Sequence, residues 1–142
     1  MPINGFTVGR DLTLVINSPS GVLRVSLLTE FDAKPTVTDA KVIGLDGIVR
    51  HQIFHNGWHG TVSVERQDST IDDYWAQLED DYYNGLVQGA CTISETISEP
   101  DGSVSQYRYE GVVLKLTDKG NFKGDATVKQ KLDFLASRRK KV

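Results

Sequence analysis

Apolar and polar residues alternate with a period of two through most of the chain, and this alternation constrains the fold more than any other feature of the sequence. In the segment "CTISETIS", which starts at Cys91, apolar side chains at residues 91, 93 and 97 alternate with Thr or Ser. A period of two places successive side chains on opposite faces of a β-strand. The pattern therefore predicts a mainly β protein, an antiparallel β-barrel or sandwich.

Turn signals divide the alternating segments into hairpins. The turn "SPSG" at residues 18–21 separates a predicted strand at 12–16 from a return strand at 22–28. The turn "PDG" at residues 100–102 separates the strand that starts at Cys91 from one at 104–116. Proline presets φ in such turns and glycine accepts a positive φ, so both connections are predicted to be tight.

A last alternating strand is predicted within residues 126–137. Its polar face, formed by Lys129, Lys131 and Asp133, points to water or to a partner.

One segment, "TIDDYWAQLEDDYY", departs from the period of two. Its apolar residues recur at i, i+3, i+4, i+7 and i+11 from Ile71, which places them on one face of a helix. Ser69 or Thr70 can cap the N-terminus, and Gly85 suits a left-handed end. We expect one α-helix, about residues 70–83, packed on the sheet, because an isolated helix of this length is marginal in water.

The formal net charge of −3 conceals a separation of charge along the chain. No Lys or Arg lies between Arg66 and Arg108, and that window holds nine of the 19 acids, whereas the chain ends in a basic run. Two interpretations stay open. The acidic face is solvated and the basic tail is frayed, or the acidic pole of one copy contacts the basic pole of another. The residues predicted for such a contact are Asp80, Asp81, Arg138, Arg139, Lys140 and Lys141.

The three histidines lie four residues apart in "VRHQIFHNGWHG", residues 49–60. On a helix, this spacing directs two imidazoles to one zinc ion. However, Asn56-Gly57 is a strong signal for a two-residue hairpin turn, which places His51 and His55 on one face and His59 on the other. No metal site is therefore predicted within one chain. A two-histidine site across an oligomer contact remains the alternative.

The segment around these histidines, about residues 34–60, contains many turn residues and few strongly apolar runs. It is predicted to project from the body as a loop or hairpin arm, with Asn56-Gly57 at its tip. Phe54, His55 and Trp58 are then candidates for contact with a neighbouring molecule. The alternative is that both aromatic side chains cap the protein's own core.

No motif in the sequence indicates an enzyme. The chain has no phosphate-binding loop, dinucleotide-binding glycine run or G-x-S-x-G elbow. Cys91, the single cysteine, occupies an apolar strand position where thiols are usually inert. No enzymatic activity, cofactor or metal is predicted.

The length and the hydropathy of the chain limit its possible domain organisation. Its 142 residues fit one domain, residues 1–142. No stretch approaches about 18 apolar residues and no signal peptide is recognised, so we expect a soluble protein without membrane insertion. Four terminal cations with no basic stripe elsewhere give only a loose phosphate footprint, which argues against specific DNA binding.

Three segments closely resemble the tail tube proteins of contractile-tailed bacteriophages: "INGFTVGRDLTLVINSPSG", "VERQDSTIDDYWAQLEDDYY" and "TISETISEPDGSVSQYRYEGVVL". The similarity covers nearly the whole chain and is a pattern of strands and helix, not a catalytic signature. The resemblance implies a β-barrel or sandwich protomer with one helix. Such protomers form hexameric rings that stack into a hollow tube inside a sheath. Related folds occur in the tube of the type VI secretion system and in phage-derived bacteriocins.

The resemblance also implies partners and a location. The expected partners are other copies of the chain in head-to-tail stacking, the tail sheath protein, the tape measure protein in the lumen, and the baseplate and tail terminator proteins. DNA is expected to pass through without specific binding, and the location is the virion tail tube, assembled in the host cytoplasm. The alternatives are a type VI secretion-like ring protein and a monomeric small β binding module.

Overall fold

The computed structural model describes residues 4–23, 27–87 and 89–142, in which the strands form one antiparallel eight-stranded sheet accompanied by one α-helix. A short 3-10 helix spans Gly9–Asp11 and α1 spans Thr70–Tyr83. The strands are β1 Leu12–Ser18, β2 Gly21–Leu23, β3 Leu27–Ile43, β4 Val49–Glu65, β5 Cys91–Ser98, β6 Val104–Asp118, β7 Lys129–Ala136 and β8 Arg138–Lys141. The mainly β prediction and the bounds of the helix are confirmed. The sheet is not a closed barrel, so the sandwich with a packed helix is the form that fits.

The strand order is β2-β1-β5-β6-β7-β4-β3, and β8 pairs with β6 outside this path. The sheet has two halves: β1, β2, β5 and β8 belong to the first, and β3, β4 and β7 belong to the second. β6 joins them, because its residues 104–112 pair with β5 and its residues 113–118 pair with β7. β7 and β8 are separated only by Ser137, whose N–H donates to the carbonyl of Glu110 (2.9 Å). Together these two strands run antiparallel along most of β6.

β6 changes direction at a bulge next to Ser137. Glu110 and Gly111 together lie opposite Thr92 of β5, so β6 carries one extra residue there. Gly111 has φ +65, and a Cβ at this position would lie 2.5 Å from the Ser137 hydroxyl. Glycine is required here for both reasons, since a side chain would be strained by the backbone angle and blocked by Ser137.

The core lies between the two halves of the sheet. Ile16, Ile93 and Tyr109 come from the first half and are fully buried, as are Val62 and Phe134 of the second half. Burying each such side chain contributes roughly 1.5–3 kcal/mol relative to leaving it exposed. An aromatic contact joins the halves, because the rings of Tyr109 and Phe134 meet edge to face at 5.6 Å between centroids.

The N-terminal half of α1 holds the helix on the sheet. Ile71 is buried, and the Asp72 carboxylate accepts hydrogen bonds from Arg66 (2.9 Å) and from the buried amide of Gln130 (3.0 Å). At the other end the helix closes as predicted, with Gly85 at φ +77. Among the described residues, no side chain of the last turn, residues 80–83, belongs to the core or packs against it.

Both predicted hairpins are present. β1 and β2 form the first hairpin. Its return strand was predicted at residues 22–28, but β2 is Gly21–Leu23, and residues 27 and 28 belong to β3. The predicted residues 24–26 of that strand lie outside the described residues. In the second hairpin, Glu99 N–H donates to the carbonyl of Ser103 (2.9 Å) and Gly102 has φ +89. Within the described ranges, no helix is long and apolar enough to cross a membrane.

Gly60 of β4 lies in a tightly packed part of the second half of the sheet. A Cβ at Gly60 would lie 2.8 Å from the Phe134 ring and still closer to the carbonyl oxygen of Asp32. Gly60→Ala is therefore expected to lower the free energy of unfolding by about 1–3 kcal/mol, as overpacking does in other cores. The control is Gly124→Ala, where nothing lies within 4 Å of the new Cβ. Equal urea midpoints for the two variants would contradict this packing.

Candidate interaction surfaces

The hairpin of β3 and β4 extends beyond the rest of the sheet. β3 and β4 pair along their whole length, whereas β7 pairs with β4 only from residue 58 to residue 65. Residues 37–43 and 49–55 therefore form a ribbon of two strands, which we call the arm. A projecting arm was predicted at about residues 34–60, and the ribbon falls within these bounds.

The arm ends in an ordered five-residue loop between β3 and β4. Gly44 N–H donates to the carbonyl of Ile48 (3.1 Å), and Gly47 has φ +79. The Asp46 carboxylate pairs with Arg50 (2.9 Å) and accepts a hydrogen bond from the N–H of Ile48 (3.0 Å). The Arg50 guanidinium, followed by this backbone donor, lowers the pKa of Asp46. The tip is thus preformed by its own hydrogen bonds.

The prediction of a turn at Asn56-Gly57 is wrong. These two residues lie within β4 and together face Thr36 of β3, which makes them a β-bulge. Gly57 does adopt a positive φ of +95, but it uses it for the bulge, and a Cβ there would collide with the carbonyl oxygen of Ala136. The Asn56 amide donates to the hydroxyl of Thr38 across the arm.

The bulge separates the histidines as the turn was expected to do. His51 and His55 lie opposite Lys41 and Val37, which share one face of the arm, whereas His59 lies opposite Lys34 on the other face. The His59 ring is hydrogen bonded to the Thr36 hydroxyl (2.7 Å). No group of three or more His, Cys, Asp or Glu side chains that could hold a metal ion occurs in the part of the chain that the structure describes.

The arm exposes large apolar side chains on both faces. Ile53 is 51% exposed on the face of His51, and Phe54 is 55% exposed on the opposite face. The core of the same protomer covers neither. The full exposed set of the arm and its loop is Val37, Val42, Ile43, Leu45, Ile48, Val49, Ile53 and Phe54, of which Leu45 and Ile48 lie in the loop.

Trp58, unlike Phe54, packs within its own protomer. Its ring meets the buried Tyr109 ring edge to face (5.9 Å), and the Arg139 guanidinium lies 5.1 Å from its centroid. The two aromatic side chains therefore differ. Trp58 caps the protein's own core, whereas Phe54 is exposed and free for an external contact.

The basic run at the C-terminus is not a frayed tail. It forms β8, in which Arg138 to Lys141 pair with Glu110 to Tyr107 of β6. A repeating row of cations carries no strand signal of its own, so sequence analysis missed this element. Arg138, Lys140 and Lys141 are exposed, whereas Arg139 points to the interior.

Arg139 belongs to a polar group at the edge of the core. Its guanidinium lies 3.6 Å from the Tyr107 ring centroid and 3.6 Å from the carboxylate of Glu95, which is only 6% exposed. Tyr109 donates its hydroxyl to the same carboxylate (2.8 Å). Burial, and then the hydrogen bond to Glu95, raises the pKa of Tyr109. The network ties β5, β6 and β8 together, and Arg139 is already engaged within the protomer.

A groove of about 940 Å³ opens above this polar group. Its walls include Leu12, Leu28, Phe31 and Ile97, and the Glu95–Arg139 pair lies at its base. The groove marks the place where the two halves of the sheet do not close on one another.

Asp80 and Asp81 lie in the last turn of α1, as predicted. Gln77 donates to the Asp81 carboxylate (2.8 Å), while Asp80 is exposed. Next to them, Tyr82 and Tyr83 are 75% and 77% exposed and contact each other edge to face. The acids are therefore accompanied by an exposed aromatic pair that the prediction did not include.

Cys91 is buried, in agreement with its apolar strand position. Its sulfur lies 3.3 Å from the Tyr74 hydroxyl. Burial, and then this contact, raises the pKa of Tyr74. The thiol serves to pack the helix onto β5.

Removing Arg139 tests its role within the protomer. Arg139→Ala is expected to destabilise the fold by roughly 3 kcal/mol, near the lower end of the cost of stranding a buried charge, since water reaches the groove. Arg138→Ala, on the exposed side of the same strand, should change stability by less than about 0.5 kcal/mol. Equal losses for the two variants, measured by chemical denaturation, would show that Arg139 has no special structural role.

Stability should also fall at alkaline pH. The pKa values of Tyr74 and Tyr109 are raised in the folded state, so their stabilising effect is complete below the unfolded pKa near 10 and is lost as the pH rises above it. Denaturation midpoints between about pH 8 and 11 should show this loss, with a smaller decline for Tyr74→Phe. The control, Tyr82→Phe, removes an exposed phenol and should follow the wild type. Identical declines for all three proteins would contradict the prediction.

Comparison with known proteins places this architecture among tail components. No protein-family model and no curated protein sequence matches the chain. A chain in the cap that terminates the tube of the anti-feeding prophage has a TM-score of 0.65 at 8% identity, over 100% of this chain and 94% of that one.

Two further solved structures are similar to this chain over most of its length. A chain in the extended sheath-tube complex of an extracellular contractile injection system has a TM-score of 0.60 at 8% identity, covering 91% of this chain and 87% of that one. A chain in the virion of a native gene transfer agent particle has a TM-score of 0.57 at 12% identity, covering 96% and 99%. At these identities the likeness establishes the fold alone. That fold is the one found in tail tube and terminator components, consistent with the resemblance of the sequence to tail tube proteins.

Proposed function

We propose that this chain is a structural, non-catalytic subunit of a bacteriophage tail tube. In this role, residues 1–142 form one domain, six copies form a ring, and rings stack into a hollow conduit for genome delivery inside a contractile sheath. The shared fold supports a structural role in a tail. The arm is the observation that carries the proposal of self-assembly.

The arm has little to stabilise it in an isolated protomer. A two-stranded hairpin is at best marginally stable in water, and this ribbon presents large apolar side chains on both faces. Contact with another copy buries them and supports the ribbon from outside. Phe54 and His55 lie on the arm and are the contact residues proposed there, whereas Trp58 supports the base of the arm from inside.

Sheet edges also favour assembly. β3 is a strand of 17 residues that pairs only with β4, so its other edge is open in the described part of the chain. Long open edges invite pairing with another chain, and a closed ring of copies leaves none free. Each copy carries a net charge of −3, so a ring is acidic overall and offers DNA few phosphate contacts.

The proposed partners follow from this role. The outside of the tube contacts the tail sheath protein, the lumen first holds the tape measure protein and then conducts DNA, and the ends contact baseplate and tail terminator proteins. The proposed location is the virion tail tube, assembled in the host cytoplasm.

Two alternatives remain to be separated by experiment. A type VI secretion-like ring protein shares the fold and forms rings. A monomeric small β binding module is favoured by the groove of about 940 Å³, a volume in the range of small-molecule sites.

Negative-stain microscopy and mass photometry of the purified chain test the proposal. Stacked hollow tubes support the tail tube subunit, and single rings support the secretion-like alternative. A monomer at every concentration would exclude both and leave the binding module.

Substitutions in the arm test its part in assembly. Ile53→Thr and Phe54→Thr alter opposite faces, keep a residue that favours strands, and should each shift monomer stability by less than about 0.5 kcal/mol. We expect at least one of them to reduce the sedimentable fraction, and the affected variant identifies the buried face. Val104→Thr, at a similarly exposed strand residue outside the arm, is the control. Normal assembly of both arm variants would remove the arm from the contact.

A further inference from the structure

The C-terminal end of α1 forms an exposed knob of aromatic and acidic side chains. Tyr82 and Tyr83 are exposed and stacked edge to face, and the turn that follows exposes Leu86 and Val87. We define the knob by its exposed members, which are Glu79, Asp80, Tyr82, Tyr83, Leu86 and Val87. Large apolar side chains grouped in this way on a monomer mark a contact surface.

The acids of the knob, Glu79 and Asp80, are exposed. Across residues 4–23, 27–87 and 89–142, no ion pair includes Glu79 or Asp80. Both also sit at the helix end where the dipole disfavours negative charge. Their charge and the adjoining aromatic rings together suit a cationic partner, since such rings attract Lys and Arg.

The exposed cations of β8 form a complementary surface, which we call the cationic strip: Arg138 and Lys140 on one face of the strand, and Lys141 at the strand's end on the face of Arg139. Lys140 lies directly opposite Arg108 of β6, an arrangement of like charges that destabilises a sheet. The nearby Glu110 carboxylate is already paired with Arg108 (3.0 Å). Among the described residues, none of the three strip side chains has an ion-pair partner.

The knob and the strip form no ion pair with one another in the described part of the protomer. α1 packs beside β2, at one edge of the first half of the sheet, and β8 forms the opposite edge. The strands β1, β5 and β6 lie between β2 and β8, so these two edges are four strand spacings of about 4.8 Å apart along the sheet.

We propose that the knob of one copy docks on the cationic strip of a second copy. Tyr82 and Tyr83 lie against the strip cations while Glu79 and Asp80 pair with them. Because the two surfaces differ and lie on opposite edges, the contact is heterologous and propagates from copy to copy. The inference rests on the proposed self-assembly and assigns one of its interfaces. Arg139 takes no part, since Glu95 and three aromatic rings already hold it.

Charge reversal tests the pairing without endangering the fold. Glu79→Lys with Asp80→Lys places cations where the helix dipole favours them. Lys140→Glu with Lys141→Glu replaces a like-charge pair by an attractive one opposite Arg108. Each double variant should raise the concentration needed for assembly by about tenfold or more, because like charges then face each other across the contact. The quadruple variant, with both surfaces reversed in one chain, should recover assembly.

The control is Lys119→Glu with Lys123→Glu, which makes the same change in net charge as the strip variant, but on the exposed loop between β6 and β7. It should assemble like the wild type, and circular dichroism should show every variant folded. The two proposals fail differently. A wild type that never assembles would overturn the proposed function. A wild type that assembles, with a quadruple variant no better than the double variants, would overturn the pairing of knob and strip alone.

Discussion

The architecture depends on one strand, β6, which serves both halves of the sheet. Its first part pairs with β5 and β8 and its second part with β7, and the bulge at Gly111 lets it pass from one half to the other. Tyr109, immediately before that bulge, contacts the rings of Phe31, Trp58 and Phe134 and donates to Glu95. A side chain at Gly111 would disturb this passage, and with it the register of every neighbouring strand.

The protomer divides into a well-packed body and elements that the body does not cover. The core between the halves is fully buried, and α1 is held there by Ile71, Asp72 and the contact between Tyr74 and Cys91. The arm and the end of α1 expose large apolar side chains, and β8 exposes cations. In the proposed tube, much of the stabilisation of these elements comes from neighbouring copies. Assembly and local order are then coupled, because each contact supports a segment that is weakly held in the monomer.

Local patterns in the sequence predicted the elements whose structure is decided locally. The helix over residues 70–83 follows from the spacing of its apolar residues, and the turn at residues 100–102 follows from its proline and glycine. Asn56-Gly57 misled the prediction because the pair reports only a positive φ, which a bulge satisfies as well as a turn. The close approach of Ala136, from a strand about 80 residues away in sequence, decides between them.

Contacts between residues that lie far apart in the sequence were harder to predict. Nothing near Arg139 indicates that it turns inward, since its partner Glu95 lies in a distant strand. The available signal was Glu95 itself, a charged residue at an inward position between Ile93 and Ile97. A charge at such a position requires a partner, and that requirement could have selected one cation from the basic run. The strand period then places Arg138 and Lys140 on the opposite face, whereas Lys141, on the face of Arg139, is exposed at the end of the strand.

The bulge at Asn56-Gly57 has a consequence for the geometry of any assembly built through the arm. A bulge bends its strand and increases its right-handed twist, so this dipeptide sets the angle at which the arm leaves the body. In a stack of rings joined by arms, that angle governs the rotation and rise from one ring to the next. The helical parameters of a whole tube would then be encoded in two residues of the body–arm junction, apart from the side chains that make the contacts.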